Sequence, residues 1–552
     1  MTDAAATLSP TPSLTEDHVS RAPVAREGAA GRVLMSSYRW THYATLLVGL
    51  LLLVYIGSKQ WFFFDEWDII WQPEAARRFT QGHNGHWSAV PIAIWSALQH
   101  VFGLSSYLPF ISTAVLAHLT TAHLIWRLML RAGSEGWVAT ALATVFIFFG
   151  AAAENLLWAF QLGFMGAIAF GLGAVLIAMR PRTTIGSIIA IATLLLLGAA
   201  TSGTALPLFV AVAWTLLLCH GWRTTLITMI VPTALYGVWY VFLRSAAGTD
   251  AFKVQSISEA LTGIPSFIGN MLVGGFDAST PIPGFGIIMV TALASWALFV
   301  VRGRRWSPST AVTSGMLISG VVFAAMTAYS RLALGVDYAD ESRYIYLAVM
   351  TTLPAIALML SWCARTGWPA RLLVLSLIGV VFVYNVGLLD KTARAWADRE
   401  RNSHADISAA LDLADRFPEQ VQWDAKPEPS YVPRTLEQLH ELERDFGLTR
   451  IAPGITNALS AQVQVGLAVT PSALSQSCDA PLSSGQVIPV TAQPLVLFAT
   501  DDSTVTLAAV AGTLSGSEKT FTFDAGANAL SSVEPTALSI RSVTGDVAIC
   551  SQ

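Results

Sequence analysis

The chain contains few charged residues. Asp, Glu, Lys and Arg make up 12% of its 552 residues, whereas 53% of the residues are hydrophobic. A soluble domain carries about 25% charged residues, so this composition predicts a protein that lies largely in a membrane. The net charge of -4 and the lack of a basic run argue against nucleic acid as a partner.

The N-terminal segment also lacks the features of a signal peptide. Residues 1–40 are rich in Ala, Ser, Pro and Thr, which predicts a disordered segment, here assigned to the cytoplasm. They contain neither the short apolar core nor the small-residue cleavage site of a signal peptide. The first apolar segment is therefore expected to be a retained membrane anchor.

Apolar segments long enough to cross a bilayer recur along residues 41–390, the predicted transmembrane domain. A bilayer core about 30 Å thick needs roughly 20 apolar helical residues, and about eleven segments approach that length. They are 42–60, 106–129, 136–152, 162–179, 184–201, 204–219, 225–243, 284–301, 309–329, 344–363 and 370–389. The pair 184–201 and 204–219 is the least regular, because only a three-residue turn separates its members.

Arginines in the connections predict the orientation of the chain. With the N-terminus inside, the short inner connections hold Arg127, Arg131, Arg180, Arg182, Arg223, Arg302, Arg304, Arg305, Arg365 and Arg371. This excess follows the positive-inside rule. The longer connections of mixed charge and the tail after residue 390 are then predicted to lie outside.

Two stretches outside the predicted spans have helical patterns. Ala89–Phe102 is too short to span, but its bulky residues recur at helical spacing, which predicts an amphipathic helix in the outer interface. Ser256–Gly274 shows a weaker pattern of the same kind. In the tail, residues 391–454 read as a charged helical linker region interrupted by the Pro-containing Lys426–Pro433.

Residues 455–552 contain short apolar runs separated by turn residues, which predicts a small extracytoplasmic β-sandwich. This module lacks Trp and Tyr, so a docking or structural role is expected in place of an aromatic sugar platform. Cys478 and Cys550 both lie in it, where a disulfide is permitted; two free buried thiols are the alternative. Cys219 and Cys363 lie at the inner ends of predicted spans.

Polar motifs gather on the predicted outer side. Asp65, Glu66 and Asp68 follow the first span directly, within Trp61–Trp71 (WFFFDEWDIIW), although charge near a membrane is costly. The other motifs on this side are QGHNGHWS (Gln81–Ser88), AENLLWAFQ (Ala153–Gln161) and DYADESRY (Asp337–Tyr344). This one-sided distribution predicts a working surface.

The order and sidedness of these motifs resemble those of the GT-C glycosyltransferases over residues 42–390. The resemblance is carried by FDEWD (Phe64–Asp68), NGHWS (Asn84–Ser88), ENLLWAFQLGF (Glu154–Phe164) and ESRYIYL (Glu341–Leu347). It implies a GT-C-like fold and a polytopic enzyme of the bacterial plasma membrane. It also implies that a single sugar passes from a polyprenyl-phosphate donor to an envelope glycan or glycolipid acceptor.

Chemistry suggests a role for each polar residue. An inverting displacement needs a carboxylate to take the acceptor's proton and a cation for the departing phosphate, a task that suits arginine. Asp65 is the first choice for the base, and Glu66 is the second. Arg343 is the first choice for the phosphate, ahead of Arg331 and Lys253. The other predicted donor or substrate contacts are Asp68, His83, Asn84, His86, Trp87, Glu154, Gln161 and Tyr344.

Plainer interpretations of these residues remain open. The acids could be solvated helix caps, Arg343 could only pair with a neighbouring acid, and Trp87 or Tyr344 could be interfacial anchors. His83 and His86 lack a clear third metal ligand, so no metal site is predicted. The activated phosphate leaving group requires no cofactor, although Asp65 and Asp68 leave room for a divalent cation.

Two other classes of function compete with the enzyme. A transporter or flippase of lipid-linked glycans would concentrate polar residues near the membrane midplane, often within paired repeats. This sequence places its acids at one side and shows no clear internal duplication. A non-catalytic partner in envelope assembly is the third alternative.

Overall fold

The computed structural model describes residues 29–71, 79–244, 252–254, 256–303, 307–472, 478–491 and 493–550, with side chains from residue 37. The described residues up to 364 are mostly helical. Their helices are α1 Ala29–Gly57, α2 Glu66–Ile70, α3 Ala89–Phe102, α4 Leu108–Ala132, α5 Gly136–Ile147, α6 Ala153–Leu157, α7 Leu162–Ala178, α8 Ile185–Thr201, α9 Leu206–His220, α10 Trp222–Val238, α11 Ile257–Asp277, α12 Phe285–Arg302, α13 Pro308–Arg331 and α14 Ser342–Ala364.

Ten helices of the described part are long and apolar enough to cross a membrane. They confirm the predicted polytopic helical fold, with one difference in the count. The segment predicted at 184–201 is the helix α8, whose 17 residues are fewer than the 18 or more residues of each of the ten candidate spans. Residues 202–205 separate α8 from α9, and α8 packs mainly against α7 and α10.

The two ends of the helix bundle carry different chemistry. At one end, Nη1 of Arg131 donates to the carbonyl of Leu176 at 2.7 Å, and Nε of Arg365 lies 2.8 Å from Oε1 of Glu135. The polar motifs lie at the other end, which we call the site end. This separation agrees with the predicted alternation of connections, while the side of the membrane that each end faces stays a prediction.

Asn385 joins three helical segments at the site end. Its side-chain oxygen accepts from the amide of Ala151 at 3.0 Å, and its Nδ2 donates to the carbonyl of Ser279 at 2.9 Å. Gly150 permits this close approach, because a Cβ there would lie 2.1 Å from the backbone oxygen of Asn385. Any larger residue at position 150 would push the two segments apart.

The helix that follows, α15, is Trp368–Arg416 and has 49 residues. At 1.5 Å per residue it is about 74 Å long, about two and a half times the thickness of a bilayer core. It therefore continues without a break through position 390, where the sequence analysis placed the end of the transmembrane domain. Its C-terminal half projects from the site end and supports the tail.

Two short segments differ from the sequence-based expectation. Helix α1 begins at Ala29, so residues 29–40 are helical where disorder was predicted; residues 1–28 lie outside the described residues. Helix α3 has the predicted bounds, but its buried residues are Pro91, Ile92, Trp95 and Gln99, whereas Val101 and Phe102 are exposed. The helix has the predicted bounds and apolar character, and its position in the outer interface stays a prediction.

The tail contains two helices and a β-sandwich. After α15 come α16 Leu436–Phe446 and α17 Ile455–Val465, so the predicted β module begins with a helix. The strands are β1 Leu467–Pro471, β2 Cys478–Pro481, β3 Val487–Val490, β4 Leu495–Ala499, β5 Ser503–Ala511, β6 Leu514–Phe523, β7 Gly526–Ser532, β8 Thr536–Thr544 and β9 Val547–Cys550. The antiparallel sheets, in the orders β1-β7-β4-β9-β2 and β3-β8-β5-β6, enclose an apolar core and confirm the predicted sandwich.

A disulfide joins Cys478 on β2 to Cys550 on β9, with the sulfur atoms 2.07 Å apart. It closes a loop of 72 residues in sequence, which on the chain-entropy model is worth about 4 kcal/mol. Cys219 and Cys363 carry free thiols and are half-buried.

Candidate active site

The loop that carries Asp65 turns sharply after α1. Phe64 has a φ of 48°, in the left-handed region where a bulky side chain costs on the order of 1–3 kcal/mol. Its amide donates to the carbonyl of Tyr431 in the tail at 2.8 Å. The tail therefore helps to hold a strained turn immediately before Asp65.

Glu66 is fully buried beneath this turn. Its Oε2 accepts from the amide of Phe63 at 2.8 Å, and its Oε1 accepts from the hydroxyl of Tyr107 at 2.8 Å and the amide of Phe160 at 3.0 Å. Burial raises the pKa of Glu66 well above its usual range, against the effect of these donors. Glu66, the second choice for the base, thus connects the loop to the segments that carry Tyr107 and Phe160.

Asp65 is half-buried, and its Oδ2 accepts from Nδ2 of Asn84 at 3.1 Å. Burial raises the pKa of Asp65 to about 6, although the charges of Arg343 and Arg331 and the Asn84 hydrogen bond lower it. The negative charge of Glu154 also raises the pKa of Asp65. At neutral pH, Asp65 is largely ionised and more basic than an exposed aspartate, which suits a general base.

Asn84 reaches Asp65 from the tip of a tight hairpin. Asn84 and Gly85 have φ values of 48° and 79°, and the amides and carbonyls of His83 and His86 exchange two hydrogen bonds of 2.9 Å. Positive φ at both central residues defines a type I′ turn, for which Asn-Gly is the preferred sequence. The NG pair in the motif therefore fixes the geometry that presents the Asn84 amide.

His86 points away from Asp65. Its Nδ1 accepts from the amide of Gly203 at 3.2 Å, which places the proton of the neutral ring on Nε2. Burial, with the charges of Arg331 and Arg244, lowers the pKa of His86 to about 4. This histidine stays neutral at physiological pH and holds the hairpin against the turn between α8 and α9.

Arg343 lies at the start of α14 and pairs with Glu154. Its Nη1 is 2.6 Å from Oε1 of Glu154, and its amide donates to Oε2 of the same residue at 3.3 Å. Nη2 donates to the hydroxyl of Tyr338, and the guanidinium lies 5.2 Å from the ring centroid of Tyr344. The side chain of Arg343 remains 21% exposed, so this cation is fixed and still accessible.

The other residues that were predicted to contact the donor or substrate differ in their burial and partners. Arg331 donates to the carbonyl of Ser330 at 2.9 Å and acts electrostatically on Asp65. Lys253 is half-buried. It follows Phe252, whose ring lies under the guanidinium of Arg331. Gln161 is buried and accepts from Nδ2 of Asn155 at 3.3 Å.

Trp87 is engaged by the protein itself. Its ring stacks on Trp239 with centroids 5.6 Å apart, and its Nε1 donates to the carbonyl of Phe79 at 3.0 Å. The side chain therefore joins the hairpin to the end of α10, an arrangement that favours a packing role over the predicted substrate contact.

Three potential metal ligands meet in the site. One ligand atom each from Asp65, Asp68 and His83 lie within 4.8 Å of one another, whereas the sequence analysis had paired His83 with His86. Arg434 forms an ion pair with Asp68, so a divalent cation bound there would compete with a resident guanidinium. The residues fit a cation poorly, and no chemical step below depends on one.

The tail supplies residues that the sequence analysis missed. Arg434 pairs with Asp68, Tyr431 holds Phe64, and the amide of Trp61 donates to Oε2 of Glu400 at 2.7 Å. These contacts link positions more than 300 residues apart, and no local sequence pattern predicts them. The Pro-containing interruption at Lys426–Pro433 was the one sequence signal in that region.

Replacing Arg434 by Ala is expected to lower the free energy of unfolding by about 1–3 kcal/mol, because Asp68 loses its partner beside the strained turn. The midpoint of thermal unfolding in detergent measures this change. The matched control is Arg444→Ala, which removes an exposed tail arginine paired with the adjacent Asp445 at 2.8 Å. Equal midpoints for the two variants would contradict a role for Arg434 in holding the loop.

No protein-family profile and no curated protein matches the chain. Among solved structures, the chain is similar to the crystal structure of ArnT from Cupriavidus metallidurans bound to undecaprenyl phosphate. The identity is 15%, the TM-score is 0.40, and the match covers 80% of this chain and 93% of that chain. Because similarity at this level carries no functional argument, the proposal below depends on the side chains of the site.

Proposed function

We propose that the chain is a multi-pass glycosyltransferase of a bacterial plasma membrane that transfers one sugar from a polyprenyl-phosphate donor to an envelope glycan or glycolipid. The observation that carries this proposal is the environment of Asp65. It is a half-buried carboxylate with a pKa raised to about 6, acted on by the cations Arg343 and Arg331 at one end of an apolar helix bundle. A base beside a fixed cation suits displacement of a phosphate by an alcohol.

The proposed reaction is a single inverting displacement. The acceptor hydroxyl oxygen attacks the anomeric carbon of the donor sugar while the bond from that carbon to the phosphate oxygen breaks. Asp65 takes the hydroxyl proton, and the polyprenyl phosphate leaves with the bonding electron pair. The products are the extended acceptor, the lipid phosphate and a protonated Asp65, which then returns its proton to solvent.

Arg343 is the proposed ligand for the lipid phosphate. Its guanidinium already binds one carboxylate, Glu154, and its planar fork matches a phosphate equally well. Tyr338 and Tyr344 hold the guanidinium in place, so little freedom is lost when the donor binds. Arg331, acting on Asp65 from the end of α13, is the proposed second cation.

Glu66 and the hairpin have positioning roles in this proposal. Glu66 fixes the loop through its contacts with Tyr107 and the amides of Phe63 and Phe160. Asn84 orients Asp65, and His83 lies beside both. The side of the bundle that carries these residues is proposed to face away from the cytoplasm, because the basic connections lie at the opposite end.

A panel of labelled polyprenyl-phosphate sugars, presented to the purified chain with an envelope glycolipid extract, tests the proposal. We expect one donor to release its lipid phosphate only when the extract is present, with the label appearing in the extract. Failure of all donors, combined with passage of a lipid-linked sugar across proteoliposome membranes, would favour the transporter instead. Failure of all donors without transport would favour an assembly partner.

A further inference from the structure

Arg399, on the projecting part of α15, has unusual surroundings. Its guanidinium carbon lies 4.4 Å from the ring centroid of Phe63, 4.5 Å from that of Trp396 and 5.0 Å from that of Tyr431. Its Nη2 lies 3.7 Å from Oε1 of Glu400, which is beyond hydrogen-bonding distance. Nε and Nη2 are buried, and among the described residues neither atom has a hydrogen-bond acceptor.

An arginine in this state calls for an explanation. A guanidinium has five N–H donors, and buried donors are nearly always satisfied. Aromatic rings attract the cation but offer no strong acceptor. Glu400 pairs with Arg399 electrostatically through Oε1 without a hydrogen bond, and its Oε2 accepts from the amide of Trp61 at 2.7 Å. Oε2 of Glu428 accepts from the amide of Tyr431 at 2.7 Å.

The guanidinium is also accessible. The side chain of Arg399 is 28% exposed, and Phe63, Trp396 and Tyr431 are each half-buried. A ligand can therefore reach the open edge of the cation and the outer faces of the rings. Rings beside a cation are suited to a sugar that carries an anionic group, because the rings contact its C–H groups and the guanidinium binds its charge.

Arg399 and Arg343 lie at different levels of the site end. Asn385 bonds Ala151, and the hydroxyl of Ser342 donates to the carbonyl of Ala151 at 3.0 Å, so the start of α14 is level with Asn385. Arg399 is fourteen residues further along α15, or about 21 Å at 1.5 Å per residue. Since Phe63 contacts Arg399, the loop that carries Asp65 bridges this interval.

We infer that Arg399, Phe63, Trp396 and Tyr431 form a subsite for a carboxylate or phosphate group on the acceptor glycan. This inference rests on the proposed function, since it assigns the acceptor to the outward side of Asp65 and the donor phosphate to Arg343. It narrows the acceptor to an anionic glycan. A neutral glycan would offer no charge to the accessible edge of the Arg399 guanidinium.

Binding to the full chain in phosphatidylcholine nanodiscs tests the subsite without requiring transfer. The probes are tetragalacturonate and its methyl ester, which share ring stereochemistry and differ in charge. We expect the wild type to bind the acid at least tenfold more tightly than the ester. Arg399→Leu should abolish this preference, whereas Arg399→Lys should keep part of it because the charge remains.

Arg401→Leu is the matched control, because Arg401 lies two residues away, is 66% exposed and pairs with Asp398 at 3.4 Å. It should keep the full preference. Equal binding of the two probes by the wild type, or an unchanged preference in Arg399→Leu, would overturn the subsite. An anionic bilayer repels the acid in every variant. A loss of acid binding in phosphatidylglycerol nanodiscs that is larger for the wild type than for Arg399→Leu would therefore identify a lipid headgroup as the occupant and overturn the acceptor assignment. Failure of the donor panel would instead refute the transferase and leave these binding results standing.

Discussion

Asp65→Asn is expected to reduce transfer by a factor of about 10² to 10⁴, the usual contribution of a general base. The amide keeps the size of the side chain and can still contact Asn84, but it cannot accept the proton of the attacking hydroxyl. Membrane insertion and the thermal unfolding midpoint should be close to those of the wild type, because Asp65 is half-buried and makes one hydrogen bond to a neighbouring side chain. Initial rates of labelled sugar transfer measure the effect.

The control for this substitution is Asp337→Asn, which removes an exposed carboxylate from another segment at the site end. It should leave the rate within about twofold of the wild type, as expected for a surface change. Glu66→Gln is the informative companion. If Glu66 were the base, Glu66→Gln would lose activity by about 10² to 10⁴ while Asp65→Asn turned over normally, and that result would refute our assignment.

Arg343→Leu is expected to lower kcat/KM by roughly 10² to 10³, because it removes a preorganised cation at the position proposed for the departing phosphate. It also leaves Glu154 buried without its charged partner. Because the charge of Arg343 lowers the pKa of Asp65, its loss should move the acidic limb of the rate profile to higher pH. Steady-state kinetics across a range of pH measure both effects.

Arg365→Leu is a matched control for this variant. Arg365 follows the C-terminus of α14, at the opposite end of the helix from Arg343, and pairs with Glu135 at 2.8 Å. Since Arg365 is exposed, its removal should change activity little. A similar loss in both variants would indicate that arginine–glutamate pairing matters for the fold alone. If Arg343→Leu had the kinetics of the wild type, Arg343 would not be a ligand of the phosphate.

Hydropathy alone predicted most of the membrane part, because crossing a bilayer demands long apolar helices whatever their contacts. The exception is α8, whose 17 residues pack against α7 and α10 and fall short of the length of the candidate spans. The strands of the tail were also predictable from alternating patterns and turns. The helix Ile455–Val465 was not, since its small and polar residues carry little periodic signal.

The candidate site was predictable in its parts and not in its arrangement. Sidedness selected Asp65 and Arg343, but adjacent acids differ only in burial, and the burial of Glu66 depends on Tyr107 and Phe160. The substrate contact of Trp87 stays a prediction, and its stacking partner Trp239, which lies far away in the sequence, could not be predicted. Arg399 could not be selected from the sequence, because its contact with Phe63 joins two residues that are far apart in the chain.

The pH dependence of transfer by Asn84→Gly tests the central claim most directly. Glycine keeps the positive φ at position 84 while removing the amide that donates to Asp65. In the wild type, the rate should fall as pH drops below about 6, because Asp65 becomes protonated. Since the Asn84 hydrogen bond lowers the pKa of Asp65, the variant should lose activity at a higher pH. An acidic limb at the same pH in both proteins, or none in either, would contradict Asp65 as the base.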